Sequence, residues 1–299
     1  MKMPLEEVLI IGAGPAGLAA AIQLQRYGIP ALIVERATPG GLLRNANLVE
    51  NYPGFPRGIS GVTLAKLMLQ QAQNISVNIT SAEVTRLDWN GRHFRAESSA
   101  GLLRARVAVI ASGTQPRPFT DFALPLQNAD RILYEVASLH NVKDAEIAIV
   151  GAGDAAFDYA LNLAQRENRV TLLNRGDTIK CLPLLWERSQ LQSRIRYFHH
   201  TEIQKVRAFP EHQLELECLS PAGISHLTVD YLIGALGRTP KTDFVSENLA
   251  QQSAALEAQG WLHFIGDVRN GLYRQTAIAA GDGLRAAMKI YQNLKEIDA

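Results

Sequence analysis

Two stretches of the chain repeat one order of apolar and glycine-rich positions. In the first, an unbroken apolar run at 8–11 is followed by a glycine-rich run at 12–17, an alanine-rich stretch to about Tyr27 and a second apolar run at 31–34. Continuous apolar runs of this length are typical of parallel strands that are covered on both faces. The pattern therefore predicts a strand, a tight turn, a helix and a second strand.

The middle of the chain repeats this order. An apolar run at 147–150 leads into a glycine-rich turn at 151–156, a helical stretch to about Arg166 and a second apolar run at 169–173. The first glycine and the residue that closes the second strand are equally spaced in the two stretches. We therefore predict two copies of one α/β unit.

Each glycine of such a turn has its own task when the turn binds a dinucleotide. The first allows the sharp bend, the second lets the backbone approach a pyrophosphate, and the third position lets helix and strand pack closely. Amides at the helix N-terminus then hold the phosphate charge. The predicted pyrophosphate-binding residues are Gly12, Gly14, Pro15, Ala16 and Gly17 in the first copy, and Gly151, Gly153, Asp154, Ala155 and Ala156 in the second.

The two copies differ at the end of the second strand. Glu35 closes that strand in the first copy and can accept hydrogen bonds from both ribose hydroxyls of an adenosine. Asn174 stands at the same place in the second copy and is followed by Arg175. We therefore predict that the two turns bind different adenosine cofactors.

Composition and charge exclude several classes of protein. The 299 residues are 47% hydrophobic and carry a net charge of +1, which gives no overall attraction to nucleic acid or to an anionic membrane. Glycines and a proline interrupt the uncharged stretch 8–24, so we expect no membrane span there. Two cysteines cannot form a disulfide framework, and no basic segment precedes the first apolar run. These features predict a cytoplasmic protein.

With both units in view, the chain resembles the thioredoxin reductase-like flavoproteins of the pyridine nucleotide-disulfide oxidoreductase superfamily. Beyond the glycine turns, the resemblance is carried by residues 40–43, 49–55, 111–117, 234–240, 264–268 and 274–277. It implies an α/β fold of two Rossmann-like doubly wound domains. An FAD domain formed by residues 1–115 and 237–299 would be split by an inserted NAD(P) domain of residues 116–236.

The resemblance also implies further cofactor-binding residues. For FAD these are Arg36, Gly41, Leu42, Asn51, Val84, Ala111, Ser112, Gly113, Gly266, Asp267, Arg274, Gln275, Thr276 and Ala277, together with Glu35. For NAD(P) they are Asn174, Arg175, Lys180, Ala235 and Gly237. Two of the four positions that hold a 2′-phosphate in thioredoxin reductases remain cationic here. NADH and NADPH therefore both stay open, with NADH slightly favoured.

The chain departs from thioredoxin reductases at their CxxC dithiol. That motif falls on residues 134–137, which contain no cysteine, so the usual dithiol exchange with thioredoxin is excluded. Cys218 shares the phase of an alternating strand, which favours an inert core thiol. Cys181 follows Lys180, a neighbour that favours a lower thiol pKa, but we expect neither cysteine to be redox-active. The stretch 131–163 is similar to thioredoxin reductase-like ferredoxin–NADP reductases, which implies that Tyr134 lines the flavin. Hydride transfer requires alignment rather than a side-chain acid or base, so we nominate no catalytic residue.

These features together predict an FAD-dependent NAD(P)H oxidoreductase that passes electrons to a redox protein such as ferredoxin or another iron–sulfur protein. Its relatives imply a homodimer. Two alternatives stay open: a reductase of a small molecule (a quinone, a low-molecular-weight disulfide or oxygen), and a flavin redox sensor with slow turnover. The basic residues within 188–207 are interpreted as a solvated surface, and the adjacent His199 and His200 lack a third ligand for a metal site.

Overall fold

The computed structural model describes residues 4–297 of the chain. Its strands are β1 (Glu6–Ile11), β2 (Ala31–Glu35), β3 (Asn78–Ser81), β4 (Val84–Trp89), β5 (Phe94–Ser98), β6 (Gly101–Ile110), β7 (Thr114–Pro116), β8 (Ile132–Leu133), β9 (Glu146–Val150), β10 (Arg169–Leu173), β11 (Ile195–Phe198), β12 (Glu202–Phe209), β13 (Gln213–Ser220), β14 (Gly223–Val229), β15 (Tyr231–Gly234), β16 (Arg238–Pro240) and β17 (Leu262–Phe264). Its α-helices are α1 (Pro15–Arg26), α2 (Gly61–Asn74), α3 (Asp154–Ala164), α4 (Pro183–Gln190), α5 (Glu247–Ala258) and α6 (Thr276–Ile297).

The chain divides into two compact units. Unit 1 contains the residues up to Arg44, Val49–Gln115 and the chain from Thr239 onward. Unit 2 contains Asn45–Leu48 and Pro116–Arg238. Unit 1 is therefore formed by stretches of the chain on both sides of the main part of unit 2. This is the arrangement of an FAD domain split by an inserted NAD(P) domain.

Unit 1 is built on a seven-stranded sheet. Its main path has the order β3-β2-β1-β6-β5-β4, and β17 also pairs with β6. The first half of β6 pairs antiparallel with β5, and its last residues pair parallel with β17. The strands β1, β2, β3 and β17 run parallel to β6 or to each other, and β1 and β2 are the two strands that the unbroken apolar runs predict. This arrangement brings the carboxyl ends of β1, β6 and β17 to one edge of the sheet.

Unit 2 repeats the parallel arrangement with a smaller sheet. Five parallel strands have the order β11-β10-β9-β15-β8, and a separate antiparallel sheet has the order β12-β13-β14. The helix α3 packs on the parallel sheet through a face that includes the fully buried Phe157 and Leu163. The two predicted strand–turn–helix–strand units are confirmed, with the helices ending at Arg26 and Ala164, two residues or fewer before the predicted ends.

The segment Asn45–Leu48 differs from the sequence-based expectation, which placed it in the FAD domain. The structure groups it with unit 2, because its polar groups bond to that unit. The Oδ1 atom of Asn45 accepts hydrogen bonds from the backbone amides of Val136 and Ala137, at 3.0 and 2.9 Å. Such a contact between distant parts of the chain leaves no local pattern in the sequence.

Among residues 4–297, no helix is both long enough and apolar enough to cross a membrane. The uncharged stretch that begins at Val8 is divided between the buried strand β1 and the helix α1. Both elements lie in the core of unit 1, where Leu9 and Leu18 are fully buried.

Candidate functional site

The glycine turn of unit 1 follows β1 and is tightly enclosed. A Cβ atom on Gly12 would lie 2.4 Å from the carbonyl oxygen of Ala111, and one on Gly17 would lie 2.0 Å from the carbonyl oxygen of Gly12. By contrast, a Cβ on Gly14 would meet nothing within 4 Å. The first and third glycines are therefore required by packing, whereas the second borders open space beside the N-terminus of α1. This is the division of tasks that a pyrophosphate site requires.

The carboxylate of Glu35 is fixed next to this turn. Its Oε2 atom accepts a hydrogen bond from the amide of Ala13 at 2.7 Å, and its Oε1 atom accepts one from Ala37 at 2.8 Å. Each carboxylate oxygen has further acceptor capacity. The bonds hold the side chain at the end of β2, where an adenosine ribose lies in a Rossmann unit.

The predicted second FAD segment lies beside the first. A Cβ on Gly266 would approach the Cβ of Ala16 to 2.8 Å, and the Nδ2 atom of Asn51 donates to Oε1 of Gln275 at 2.8 Å. Thr276 begins α6, so its first amides are free to face a ligand. Asp267 lies in a 3₁₀ turn directly after β17 and Ile265. The turns after β1 and β17 therefore meet, although about 250 residues of sequence separate them.

The remaining predicted FAD residues are also in unit 1. Gly41 lies close to the turn, because its Cβ would stand 3.3 Å from the Cα of Gly14, and Leu42 follows it in the same 3₁₀ turn. Ser112 donates from Oγ to the carbonyl of Lys241 at 2.6 Å. Three further predicted residues are described by their own surroundings. Arg36 lies 3.7 Å from Glu83, and Val84 is buried in the core. Arg274 immediately precedes Gln275.

The residues described for unit 1 fit the binding of FAD. Of the three glycines of the turn, only Gly14 borders open space, the acid at the end of β2 is oriented, and a second helix N-terminus stands beside the turn. A flavin dinucleotide needs one set of groups for its adenosine, one for its pyrophosphate and one for its flavin. Unit 1 has a candidate group for each: Glu35 for the adenosine, the turn at Gly14 for the pyrophosphate and the N-terminus of α6 for the flavin.

Unit 2 has a second glycine turn with the same division of space. A Cβ on Gly151 would lie 2.6 Å from the carbonyl oxygen of Ala235, whereas a Cβ on Gly153 would meet nothing within 4 Å. Ala156 is fully buried at the third position. The Oδ1 atom of Asp154, a predicted cofactor-binding residue of this turn, accepts a hydrogen bond from the amide of Leu182 at 2.7 Å. This bond holds the chain after Lys180 against the turn.

The segment 134–137, which contains no cysteine, takes part in a polar network in unit 2. Glu135 pairs with Arg238 at 3.0 Å and accepts a hydrogen bond from Nδ2 of Asn45 at 3.2 Å. Tyr134 accepts a hydrogen bond from the amide of Phe119 at 3.0 Å, and the two rings lie 5.6 Å apart. These contacts of Tyr134 are packing contacts within unit 2, and its flavin-lining role stays a prediction.

The sequence analysis missed one ionisable group of this network. Asp158 lies in the otherwise apolar helix α3 and accepts a hydrogen bond from the amide of Asn47 at 2.9 Å. Burial raises the pKa of this carboxyl from 3.8 to about 6, with the hydrogen bond acting in the opposite direction and Asp154 adding to the rise. Burial likewise raises the pKa of the neighbouring Tyr159 to about 12. The sequence does contain a signal, because Asp158 and Asn162 are spaced by one helical turn in an apolar segment.

The two cysteines are poor candidates for redox chemistry. Cys218 is buried in β13, and burial raises the pKa of its thiol to about 11. Burial also raises the pKa of Cys181 from its usual value, and Asp154 adds to the rise. Both thiols therefore stay protonated at neutral pH, and the thiolate is the reactive form.

Three of the basic residues within 188–207 are engaged by acids or carbonyl groups, namely Arg194, Lys205 and Arg207. Arg207 pairs with Glu215 and Glu217 at 3.1 and 3.2 Å, and Arg194 donates to the carbonyl of Glu167 at 2.8 Å. Within the described part of the chain, no group of three or more His, Cys, Asp or Glu side chains is arranged to hold a metal ion. These contacts agree with the interpretation of the stretch as a solvated surface.

Comparisons with known proteins agree with this geometry. A family model described as pyridine nucleotide-disulphide oxidoreductase matches residues 6–283. The thioredoxin reductase of Streptomyces coelicolor is 30% identical over 307 residues, which cover 95% of this chain and 92% of that protein. The thioredoxin reductase of Streptomyces clavuligerus is also 30% identical, over 301 residues with the same coverage.

Solved structures match the fold at lower sequence identity. Lactococcus lactis thioredoxin reductase, in its FR conformation, aligns with a TM-score of 0.82 and 23% identity over 97% of this chain and 99% of that one. A bacillithiol disulfide reductase of Bacillus cereus aligns with a TM-score of 0.74 and 18% identity over the same shares of the two chains.

Proposed function

The chain belongs to the pyridine nucleotide-disulphide oxidoreductase family, and we propose that it takes reducing equivalents from NAD(P)H through FAD to a redox protein without using a dithiol. Members that resemble it, the thioredoxin reductases, are FAD-containing NAD(P)H oxidoreductases. The proposal goes beyond the family in two respects, which are the nature of the acceptor and the loss of the dithiol step.

The observation that carries the proposal is the pair of dinucleotide turns combined with a missing dithiol. Unit 1 has the oriented Glu35 and unit 2 does not, so FAD is assigned to unit 1 and NAD(P)H to unit 2. The segment 134–137, where thioredoxin reductases carry two cysteines, contains Glu135 in an ion pair and the fully buried Val136. Electrons that reach the flavin must therefore leave it directly.

The residues of the chain act by binding and orientation. When bound, FAD accepts a hydride from the nicotinamide and can release the two electrons one at a time. Amides after Gly12 and Gly151 would hold the two pyrophosphates, Glu35 would fix one adenosine, and the N-terminus of α6 would serve the flavin end. Side-chain proton transfer is not required for the hydride step.

One-electron release is the reason for proposing a protein acceptor such as ferredoxin or another iron–sulfur protein. The test is steady-state NAD(P)H oxidation by the FAD-loaded protein with a panel of ferredoxins and flavodoxins, and with thioredoxin as the negative control. Rapid reduction of at least one ferredoxin or flavodoxin supports the proposal. Reduction of thioredoxin, or turnover with quinones or small disulfides alone, would contradict it.

We also propose that the protein is a cytoplasmic homodimer, as the resemblance to thioredoxin reductases implies. Sedimentation of the FAD-loaded protein at micromolar concentration tests the dimer. Turnover with a small acceptor and none with a protein favours the small-molecule alternative. Flavin reduction without reoxidation by any acceptor favours a redox sensor.

A further inference from the structure

The turn that follows β10 contains one carboxylate, Asp177, among residues 174–180. We propose that Asp177 makes unit 2 selective for NADH over NADPH. This inference rests on the proposed function, because it requires that unit 2 binds a nicotinamide dinucleotide. It concerns the adenosine end of that cofactor, where the two nucleotides differ by a 2′-phosphate.

The turn is held in a defined place by the backbone. In a Rossmann unit the adenosine ribose lies at the end of the second strand, which in unit 2 is β10. The amide of Asn174 donates to the carbonyl of Phe198 at 2.9 Å, and the amide of Thr201 donates to the carbonyl of Asn174 at 2.9 Å. The amide of His200 donates to the carbonyl of Gly176 at 3.0 Å. The start of the turn is therefore fixed against the connection between β11 and β12.

Asn174 stands in unit 2 at the position that corresponds to Glu35 in unit 1, and its side chain is fully engaged in hydrogen bonds around the turn. Its Nδ2 atom donates to the carbonyl of Thr178 at 3.2 Å and to the hydroxyl of Tyr197 at 2.9 Å, which uses both amide hydrogens. Its Oδ1 atom accepts from the amide of Gly176 at 3.1 Å. The side chain shapes the turn and has no hydrogen left to donate to a phosphate.

Asp177 is exposed and presents its carboxylate from the same turn. The hydroxyl of Thr178 donates to its Oδ1 atom at 2.9 Å. This hydrogen bond is the largest cause that lowers the pKa of Asp177, and His200 adds to the effect when it is protonated. The group is therefore ionised at neutral pH. An ionised carboxylate accepts hydrogen bonds from ribose hydroxyls and repels a phosphate dianion.

The cations around the turn do not outweigh this carboxylate. Arg175 lies 3.5 Å from Asp121, so a 2′-phosphate would have to compete with that acid for it. Lys180 follows on the same turn, and its amide bonds to the carbonyl of Ala152 at 2.8 Å. The turn thus places two cations, Arg175 and Lys180, beside two carboxylates, Asp121 and Asp177. A phosphate monoester carries about two negative charges at neutral pH, and the turn offers no surplus to match them.

The experiment compares kcat/KM for NADH and NADPH in the FAD-loaded protein at fixed ionic strength. We expect NADH to be favoured by about tenfold or more, since one repelling charge at a surface site accounts for a factor of that order. Asp177→Asn should raise kcat/KM for NADPH by about five- to tenfold while lowering that for NADH by a few-fold. Asp121→Asn, which leaves Arg175 unpaired, should also raise kcat/KM for NADPH.

A binding measurement gives a readout that does not depend on turnover. Calorimetric titration of the FAD-loaded protein with ADP-ribose and with 2′-phospho-ADP-ribose should show the same preference and the same change in Asp177→Asn. The control is Asp130→Asn, which removes an exposed carboxylate elsewhere in unit 2 and should leave both ratios unchanged.

The outcomes separate this inference from the proposed function. If both nucleotides reduce the flavin but NADPH is preferred, or if Asp177→Asn changes the ratio no more than Asp130→Asn, the selectivity is contradicted and the reductase proposal stands. If neither nucleotide reduces the flavin and neither fragment binds, the proposed function itself fails. Preference for NADH that is lost in Asp177→Asn supports both.

Discussion

Asp158 shows how a single residue can be chemically unusual without a motif around it. It lies in α3 among fully buried apolar side chains, and Asn47, which bonds to it, comes from a distant part of the chain. Burial is the first cause of its raised pKa, and ionisation of a buried carboxyl costs free energy. The group therefore couples the stability of unit 2 to pH.

The pH dependence has a definite sign. The folded pKa of about 6 is above the ordinary value of 3.8, so this group's contribution to stability is fully present below about pH 4 and is lost as pH rises through 6. Asp158→Asn keeps an acceptor for Asn47 and cannot ionise. It should raise the free energy of unfolding by about 3 kcal/mol at pH 8 and by about half of that at pH 5.

Urea unfolding at the two pH values measures this effect, with the exposed Glu187→Gln in α4 as the control. A gain that is equal at pH 5 and pH 8, or a variant less stable than the parent at pH 8, would show that Asp158 is not held in the environment described.

The cysteines permit a second prediction at the same scale. In the double variant Cys181→Ser, Cys218→Ala, both thiols with raised pKa are removed. NAD(P)H oxidation with a functional acceptor should change by no more than about twofold, because neither thiolate forms at neutral pH. The check is the turnover rate per bound FAD. A loss of activity with full FAD content would reveal a redox role for a cysteine.

The two glycine turns share one plan, and much of that plan could be predicted from the sequence. The order of strand, turn and helix and the spacing to the end of the second strand follow from local patterns at 8–35 and 147–174. The sequence does not show what each glycine contacts. Gly12 packs against Ala111, which directly follows β6, and Gly151 packs against Ala235, which directly follows β15. Such contacts depend on the order of strands in the sheet.

The different surroundings of two glycines give a prediction at the scale of the element. Gly17→Ala places a Cβ 2.0 Å from the carbonyl oxygen of Gly12 and should destabilise unit 1 by about 3 kcal/mol with loss of FAD. Gly153→Ala meets nothing within 4 Å and has an unstrained φ of −99°, so stability should change by less than about 1 kcal/mol.

The methyl group of Gly153→Ala would nevertheless occupy the space through which a pyrophosphate approaches, and KM for NAD(P)H should rise. FAD content, thermal stability and KM measured on the two variants check the pair. If Gly17→Ala retains FAD at the parent's stability, or Gly153→Ala leaves KM unchanged, the assignment of the two turns is incorrect.

For the whole molecule, the sequence predicted two Rossmann-like units and the split FAD domain, and the family comparisons confirm the fold class. It did not predict that Asn45–Leu48 belongs with unit 2. It also did not predict the network of Glu135, Arg238 and Asn45. These features depend on hydrogen bonds between residues about 90 or more positions apart, which single-sequence patterns do not encode.

The central claim is that NAD(P)H reduces FAD in this protein and that no dithiol shares the electrons. Anaerobic titration of the FAD-loaded protein with NADH, and separately with NADPH, followed by the visible absorbance of the flavin, tests both parts. We predict full bleaching by about one equivalent of the preferred nucleotide per FAD, since one hydride fills the flavin. Bleaching that requires about two equivalents would reveal a second two-electron centre, and no bleaching by either nucleotide would contradict the account of unit 2.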